Sequence, residues 1–449
     1  MKGITIHEFD ALCAGPPELP ETGTLRSVPA GVYRWLEGQC ASLADRKETA
    51  WLRLTGREGR PAVRVTSFVG VVRAPDGFQI EVLPKVGTAI AGGHGEARQL
   101  LIDMLRCLSG FPHIVTDRAR LLATRMPLPD IFISEFLRAV ERIVKHGLRS
   151  DYTSLQDDVA ALRGKLLTGP HLRRNMFRMD RFFTEHDEFS ADRPENRLVH
   201  TALRRVLALT SSPANQRSAR ELCFVFADVP QSHAPADDFR RTGPDRTMTH
   251  YSDALGWARL ILGGLSPLTG AGSHPAPSLL FPMEALFEAF VAARLSRQVV
   301  RPVFVRTQSQ GRHLVSHREQ DWFRLVPDIL VREGNRNRLV MDTKWKLLDA
   351  RLDDPRQKYR LSQPDFYQML AYGLNYLDGG GGAMALVYPK TDMFDRPLPP
   401  FLFSGAEELR LWALPFCLQS RSLLVPENGT FPDFPDDIFR EETQPAGVD

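Results

Sequence analysis

The stretch from 321 to 346, "DWFRLVPDILVREGNRNRLVMDTKWK", constrains the fold more than any other part of the chain. Apolar runs on either side of the polar turn through Gly334 and Asn335 predict a β-hairpin. A strand turns successive side chains to opposite faces. Met341, Thr343 and Trp345 should therefore share one face, and Asp342, Lys344 and Lys346 the other. If the strands pair, Asp328 and Asp342 meet at one end of the sheet. Before the hairpin, "RPVFVRT" reads as a strand and "MEALFEAFVAARLSRQV" as a helix with Leu286, Phe287, Phe290 and Val291 on one side. After it, "LSQPDFYQMLAYGLNYLDGGGG" reads as a helix stopped by glycines. Ser362 is its expected N-cap, with Asp365 completing a capping box and Pro364 in the first turn. "AMALVYP" then reads as a buried strand. Helix, three strands, helix, strand predicts an α/β core with a mixed sheet.

A chain of 449 residues is too long for one ordinary core, so two or three domains are expected. Residues 1–115 read as a mixed, strand-rich domain. "PAGVYRWLEGQCASLADRKE" is a helix, "AVRVTSFVGVV" and "QIEVLPK" a hairpin, and "AGGHGEAR" a loop before the helix "QLLIDMLRCLSG". Residues 116–275 read as helical and strongly charged, closing on the Pro/Gly/Ser-rich "GGLSPLTGAGSHPAPS", the best boundary in the chain. Residues 276–449 form the α/β domain, whose last 25 residues, rich in proline and acids, read as a tail. The fold class is thus α/β multidomain.

Composition narrows the function by exclusion. Hydrophobic residues make up 43% and charged residues 25%, ordinary for a soluble protein. No apolar run approaches the ~20 residues that span a bilayer, and His7, Glu8 and Asp10 interrupt any signal-peptide pattern. Five scattered cysteines without CxxC argue against a disulfide framework or a cysteine zinc site and fit a cytoplasmic location. A net charge of +3 does not by itself indicate nucleic-acid binding. No GxxxxGK[ST] loop is present, so the chain should not hold a nucleoside triphosphate in a P-loop.

The chemistry gathers on the hairpin. Two convergent carboxylates, Asp328 and Asp342, suit a hard divalent cation such as Mg²⁺ or Mn²⁺, and the Thr343 carbonyl could add an oxygen. Lys344, on the same side as Asp342, could position or activate the attacking water. That is the equipment of phosphodiester hydrolysis. A D/E-x-K triplet alone is a weak signal, and Asp45-Arg46-Lys47 is a decoy inside an expected helix. An ordinary cross-strand charge pair is the bland alternative. On the following helix Gln368 and Tyr372 are four apart and share a face. Upstream, Glu284 and Glu288 are also four apart, and either could complete the metal shell or be solvated surface charge.

PD…DxK followed by QxxxY resembles the PD-(D/E)xK nuclease superfamily. "FVGVV" with "IEVLPK", "LRGKLL…LRRN…ENRLVHTALRRVL", "MEALFEAFV" and "PDILV…MDTKWK…DFYQMLAYG" resemble, in order and over about 60–390, McrC, the nuclease subunit of McrBC-type modification-dependent restriction systems. The resemblance implies a restriction-endonuclease-like α/β domain at 276–449 that cuts double-stranded, modified DNA in antiviral defence. It also implies a partner AAA+ GTPase hexamer, McrB-like, engaged and stimulated by the N-terminal region. Asp328 and Asp342 then become the metal-binding acids, Lys344 the catalytic lysine, and Gln368 and Tyr372 the helical motif. Glu288 in "LFEAF" matches the family better than Glu284. Two alternatives are a stand-alone repair nuclease of the same chemistry and a non-cleaving adaptor that regulates an AAA+ motor.

Overall fold

The computed structural model describes residues 3–15, 24–44, 50–85, 93–108, 128–178, 180–242, 248–263, 278–377, 382–426 and 434–440. Two compact units emerge. One holds 115–279 with 71–77, and the other holds 3–70, 78–114 and 280–449. The second unit therefore combines most of 1–115 with the C-terminal segment. No helix among the described residues is long and apolar enough to cross a membrane.

In the first unit, the helix Leu128–His146 aligns Phe132, Phe136, Val140 and Ile143 on one buried stripe. It packs on the helix Thr249–Gly263, where the Phe132 and Trp257 rings lie 5.7 Å apart. The reading of this region as helical holds at Thr168–Asn175 but is corrected on either side of it, at 151–166 and 182–190. Strand Asp151–Val159 pairs antiparallel with Phe182–Ser190, and Lys165–Leu166 adds to the latter. Both long strands are rich in polar and charged residues, so apolar periodicity does not mark them; cross-strand pairing does. At Gly164, with φ +71°, a side chain would collide with the backbone of Glu185 and with His186.

The second unit is built on a seven-stranded sheet. Its order is Phe304–Thr307, Ile329–Glu333, Arg336–Thr343, Gly382–Pro389, Ala406–Cys417 and Phe401–Phe403, with Ser422–Leu423 also on Ala406–Cys417. The first two ladders are antiparallel and the next two parallel, so the sheet is mixed as expected. Alternation puts Val340, Met384, Leu386, Leu409, Leu411 and Ala413 into one buried cluster. Met369, Tyr372 and Tyr376 of the helix Gln363–Tyr376 belong to the same cluster. Burying each of the larger side chains contributes roughly 1.5–3 kcal/mol. The approach is close: a Cβ on Gly373 would meet Met384 Sδ at 2.5 Å and Leu409 Cδ1 at 2.9 Å.

Several expectations change here. "WFRLVPDILVR" is two strands rather than one, because Pro327 offers no N–H to continue a ladder. Gln320–Leu325 pairs instead with Arg312–His317 as a separate hairpin. The strand Arg336–Thr343 ends before Trp345, so the alternation of faces stops at Thr343. The helix read from Gln99 already starts at Gly93. Ser362 caps its helix by position only, without a side-chain bond: Asp365 N donates to the Ser362 carbonyl oxygen at 3.1 Å, and the Asp365 carboxylate lies 3.8 Å from Lys344 Nζ. The expected tail is packed where it is described. Phe434, Ile438 and Phe439 are buried, Val300 N donates to Ile438 O and Arg440 N to Gln298 O. The boundary segment 264–277, the triplet 45–47, glycines 379–381, and 427–433 and 441–449 lie outside the described residues.

Candidate active site

Ile329 pairs with Met341, so the hairpin sets Asp328 and Asp342 at the same end of the sheet. Asp328 Oδ2 accepts from Thr343 N at 2.7 Å and Thr343 Oγ1 at 2.8 Å. Asp342 is 2% exposed, and its Oδ2 lies 2.5 Å from Lys344 Nζ. Lys344 continues past the strand on the parallel neighbour, its N donating to Val387 O at 2.8 Å. Gln368 ties the group together. Its Nε2 donates to Asp342 Oδ1 at 3.3 Å and to Tyr372 Oη at 2.8 Å, while its Oε1 accepts from Lys344 Nζ at 3.1 Å. Helical spacing continues the row. Tyr372 Oη donates to Val326 O at 2.9 Å, and Tyr376 Oη approaches Leu325 O at 2.7 Å and Ser309 O at 3.0 Å. The helix thereby holds the segment leading to Asp328.

The charges are strained in one direction. Burial, then the Asp328 charge, push the Asp342 carboxyl up to about 6 against the pull of Lys344. Burial raises Asp328 as well, with the two Thr343 bonds and Lys344 opposing. Burial, then Asp328, raise Glu288 to about 7, although Gln308 Nε2 donates to it at 3.0 Å. Burial works against the Lys344 ammonium, but Asp342, Asp365 and Asp328 outweigh it and hold its pKa above the usual value. Burial pushes the Tyr372 hydroxyl to about 12, so it stays protonated as a donor. The two glutamates part company. Glu288 feels Asp328 and Asp342, whereas Glu284 accepts from Ser67 Oγ at 2.5 Å and bears on Glu8 instead.

These residues suit a hard cation by donor type and by charge. All candidate ligands are oxygens, three acids share one ammonium, and the buried Asp342 Oδ2 lacks a well-formed hydrogen bond apart from its ion pair. Among the described residues no three acid, histidine or cysteine side chains already converge on one point. Two carboxylates with water and phosphate are, however, an ordinary Mg²⁺ environment. The sequence did not single out Asp365, Tyr376 or Glu8. Tyr376 was legible as the next i+4 step of the Gln368–Tyr372 row. Glu8, which accepts from Trp345 Nε1 at 2.9 and 3.0 Å, lies 337 positions away and carries no local signal.

Residues 63–389 match the family model of the McrBC 5-methylcytosine restriction system component. Among solved structures, a chain of the refined half-complex from a tetradecameric assembly of Thermococcus gammatolerans McrB AAA+ hexamers with bound McrC is similar. It is 19% identical, with 95% of this chain and 97% of that one covered and a TM-score of 0.64. A chain of the Thermococcus gammatolerans McrBC complex, 20% identical, matches over 66% of this chain and 88% of that one with a TM-score of 0.49. The first likeness extends the correspondence of fold to nearly the whole chain. No curated protein matches significantly. The family model spans well over half of the sequence, and the chain belongs to the McrBC 5-methylcytosine restriction system component family.

Proposed function

We propose that this protein is the DNA endonuclease subunit of a McrBC-like restriction complex in antiviral defence. It would hydrolyse phosphodiester bonds of double-stranded, modified DNA when driven by an AAA+ GTPase hexamer whose hydrolysis it stimulates. The observation that carries the reading is the meeting of Asp328, Asp342, Lys344 and Gln368 at one end of the sheet. Family membership supports the restriction setting, and the similar assembly of McrB AAA+ hexamers with bound McrC supports the partner. In this reading 276–449 is the PD-(D/E)xK nuclease domain, 1–115 engages the motor and 116–275 links them.

Asp328 and Asp342 would hold Mg²⁺ or Mn²⁺, with Glu288 and the Thr343 carbonyl as further oxygens. When bound, such an ion offsets charge on the phosphate and lowers the pKa of water. Lys344, fixed by Asp342 and Gln368, offers N–H donors to a phosphate oxygen or to the attacking water. Thr343 orients Asp328 through two bonds to one oxygen, leaving the other for a ligand. Tyr372 and Tyr376 fix the backbone that delivers Asp328.

The test is Mg²⁺-dependent cleavage of methylated and unmethylated plasmid by the full chain, with and without a McrB-like AAA+ GTPase from the same organism and GTP. Cleavage that needs partner and nucleotide, and that Asp342→Asn abolishes, is the expected result. Cleavage by the chain alone favours a stand-alone nuclease. Faster nucleotide hydrolysis without cleavage favours an adaptor.

A further inference from the structure

Trp345 and Lys346, directly after Lys344, line a cavity of about 370 Å³ that the chemistry above does not use. Arg57, Arg64, Lys85 and Arg360 also line it, and Glu8 is the one acid among the described lining residues. Glu8 is fully buried and already accepts from Lys85 N and Trp345 Nε1, so it is committed inward. Burial raises its pKa to about 7, which further reduces its counter-charge. The Arg64 guanidinium and the Lys85 ammonium both lie over the Phe9 ring, 5.3 and 5.8 Å from its centroid. Each cation is attracted to the ring, so Phe9 helps hold both side chains beside the cavity.

The backbone is strained at two places around this cavity. Phe9 has φ 67°, and the consecutive residues Lys358, Tyr359 and Arg360 have φ of 49°, 53° and 64°. The left-handed region is uncommon for non-glycine residues, and three in a row persist only where the surroundings hold them. Tyr359 N donates to Leu352 O at 2.7 Å, which pins the turn that puts Arg360 at the cavity. Several hundred Å³ accommodates a nucleotide-sized group rather than a duplex. Planar guanidinium forks match phosphate oxygens in pairs.

We propose that this cavity is a phosphate subsite, gripping a backbone phosphate of the DNA strand next to the bond that is cut. Its occupant rests on the nuclease reading; its anion preference rests on Arg57, Lys346 and Arg360 lining one cavity. Because Lys344 and Lys346 are two residues apart, a phosphate held here fixes the register of the strand at the reactive lysine.

The test measures affinity of the full-length protein for a fluorescent 30-base-pair duplex across a salt series in EDTA, so that cleavage plays no part. For R57A/K346A/R360A, affinity at 100 mM salt should fall at least tenfold. The slope of log K against log salt should shrink by at least about 0.9, the value for one phosphate contact. The charge-retaining R57K/R360K protein should keep the wild-type slope. An unchanged slope in the triple variant overturns the proposal. So does a triple variant that keeps its DNA slope but loses binding to a polyglutamate peptide, which would make the cavity a seat for an acidic protein segment. Failure of the nuclease reading appears elsewhere, as plasmid cleavage that survives Asp342→Asn, so the two ideas fall separately.

Discussion

Asp130 in the first unit and Asp342 in the second are equally buried, each 2% exposed, yet they are treated in opposite ways. Asp130 Oδ1 accepts from Thr210 Oγ1 at 2.5 Å, Ser211 N at 3.2 Å and Ser212 N at 3.4 Å, and its Oδ2 from Ser211 Oγ at 2.6 Å. Asn215 Nδ2 adds a bond to its carbonyl. Such a saturated carboxylate clamps two helices and has nothing left to offer a ligand. Asp342 instead has one 3.3 Å bond from Gln368, one ion pair and a second acid beside it. Equal burial thus leaves one acid saturated and the other with an oxygen still open to a ligand.

The largest expected effect would break this contrast outright. Asp342→Asn should lower cleavage by about a thousandfold or more, several kcal/mol of lost charge stabilisation, while thermal stability stays level or rises as repulsion from Asp328 is removed. A variant that cuts normally would make Asp342 merely structural. Asp130→Ala should do the reverse. It strands the Thr210 and Ser211 donors and should destabilise the first unit by about 2–4 kcal/mol in urea unfolding, leaving the DNA chemistry of the folded fraction unchanged.

A third buried acid sharpens the comparison through pH. Glu8 is near 7 in the folded chain and ordinary, at about 4.5, when unfolded. The folded state therefore binds more protons between these values. The Glu8 contribution to stability falls as pH rises from about 4.5 to 7 and is then flat, a loss of roughly 3 kcal/mol. Glu8→Gln keeps an acceptor for Trp345 and removes the ionisation. It should gain on wild type at pH 8 and match it near pH 4.5, and parallel unfolding profiles would contradict the assignment. The smallest effect is Tyr376→Phe, which takes the shared donor from Leu325 O and Ser309 O and should lower stability by about 1 kcal/mol, read as a shift in thermal midpoint.

The cluster of Asp328, Asp342, Lys344 and Gln368 was legible because its parts are local. The turn at Gly334 starts the hairpin, with a one-residue register shift at Val331/Arg332 before Ile329 meets Met341, and the i,i+4 step sets Gln368 against Tyr372. What escaped was non-local or hidden by composition. Asp151–Val159 and Phe182–Ser190 carry charges at positions where a strand would advertise itself by apolar alternation. Ser362 has the capping-box partner by spacing, but its side chain makes no capping bond and the Asp365 carboxylate lies near Lys344. Trp345 looked like a strand residue because nothing near it in sequence announces Glu8. Ile438 and Phe439 sat in an acidic, proline-rich stretch whose composition outweighed two buried side chains.

The parallel pairing of Arg336–Thr343 with Gly382–Pro389 has a consequence for the order in which the candidate site is assembled. Parallel neighbours require the chain to cross over, and the crossover contains the helix with Gln368. On the ribosome, a chain that has emerged as far as Lys344 carries both aspartates and the lysine. It still lacks Gln368 to hold them and Val387 O to receive the Lys344 N–H. The assembled cluster therefore arrives only when roughly forty further residues have been synthesised and docked. A truncated product ending before residue 382 would carry Asp328, Asp342 and Lys344 without the parallel neighbour that receives the Lys344 N–H.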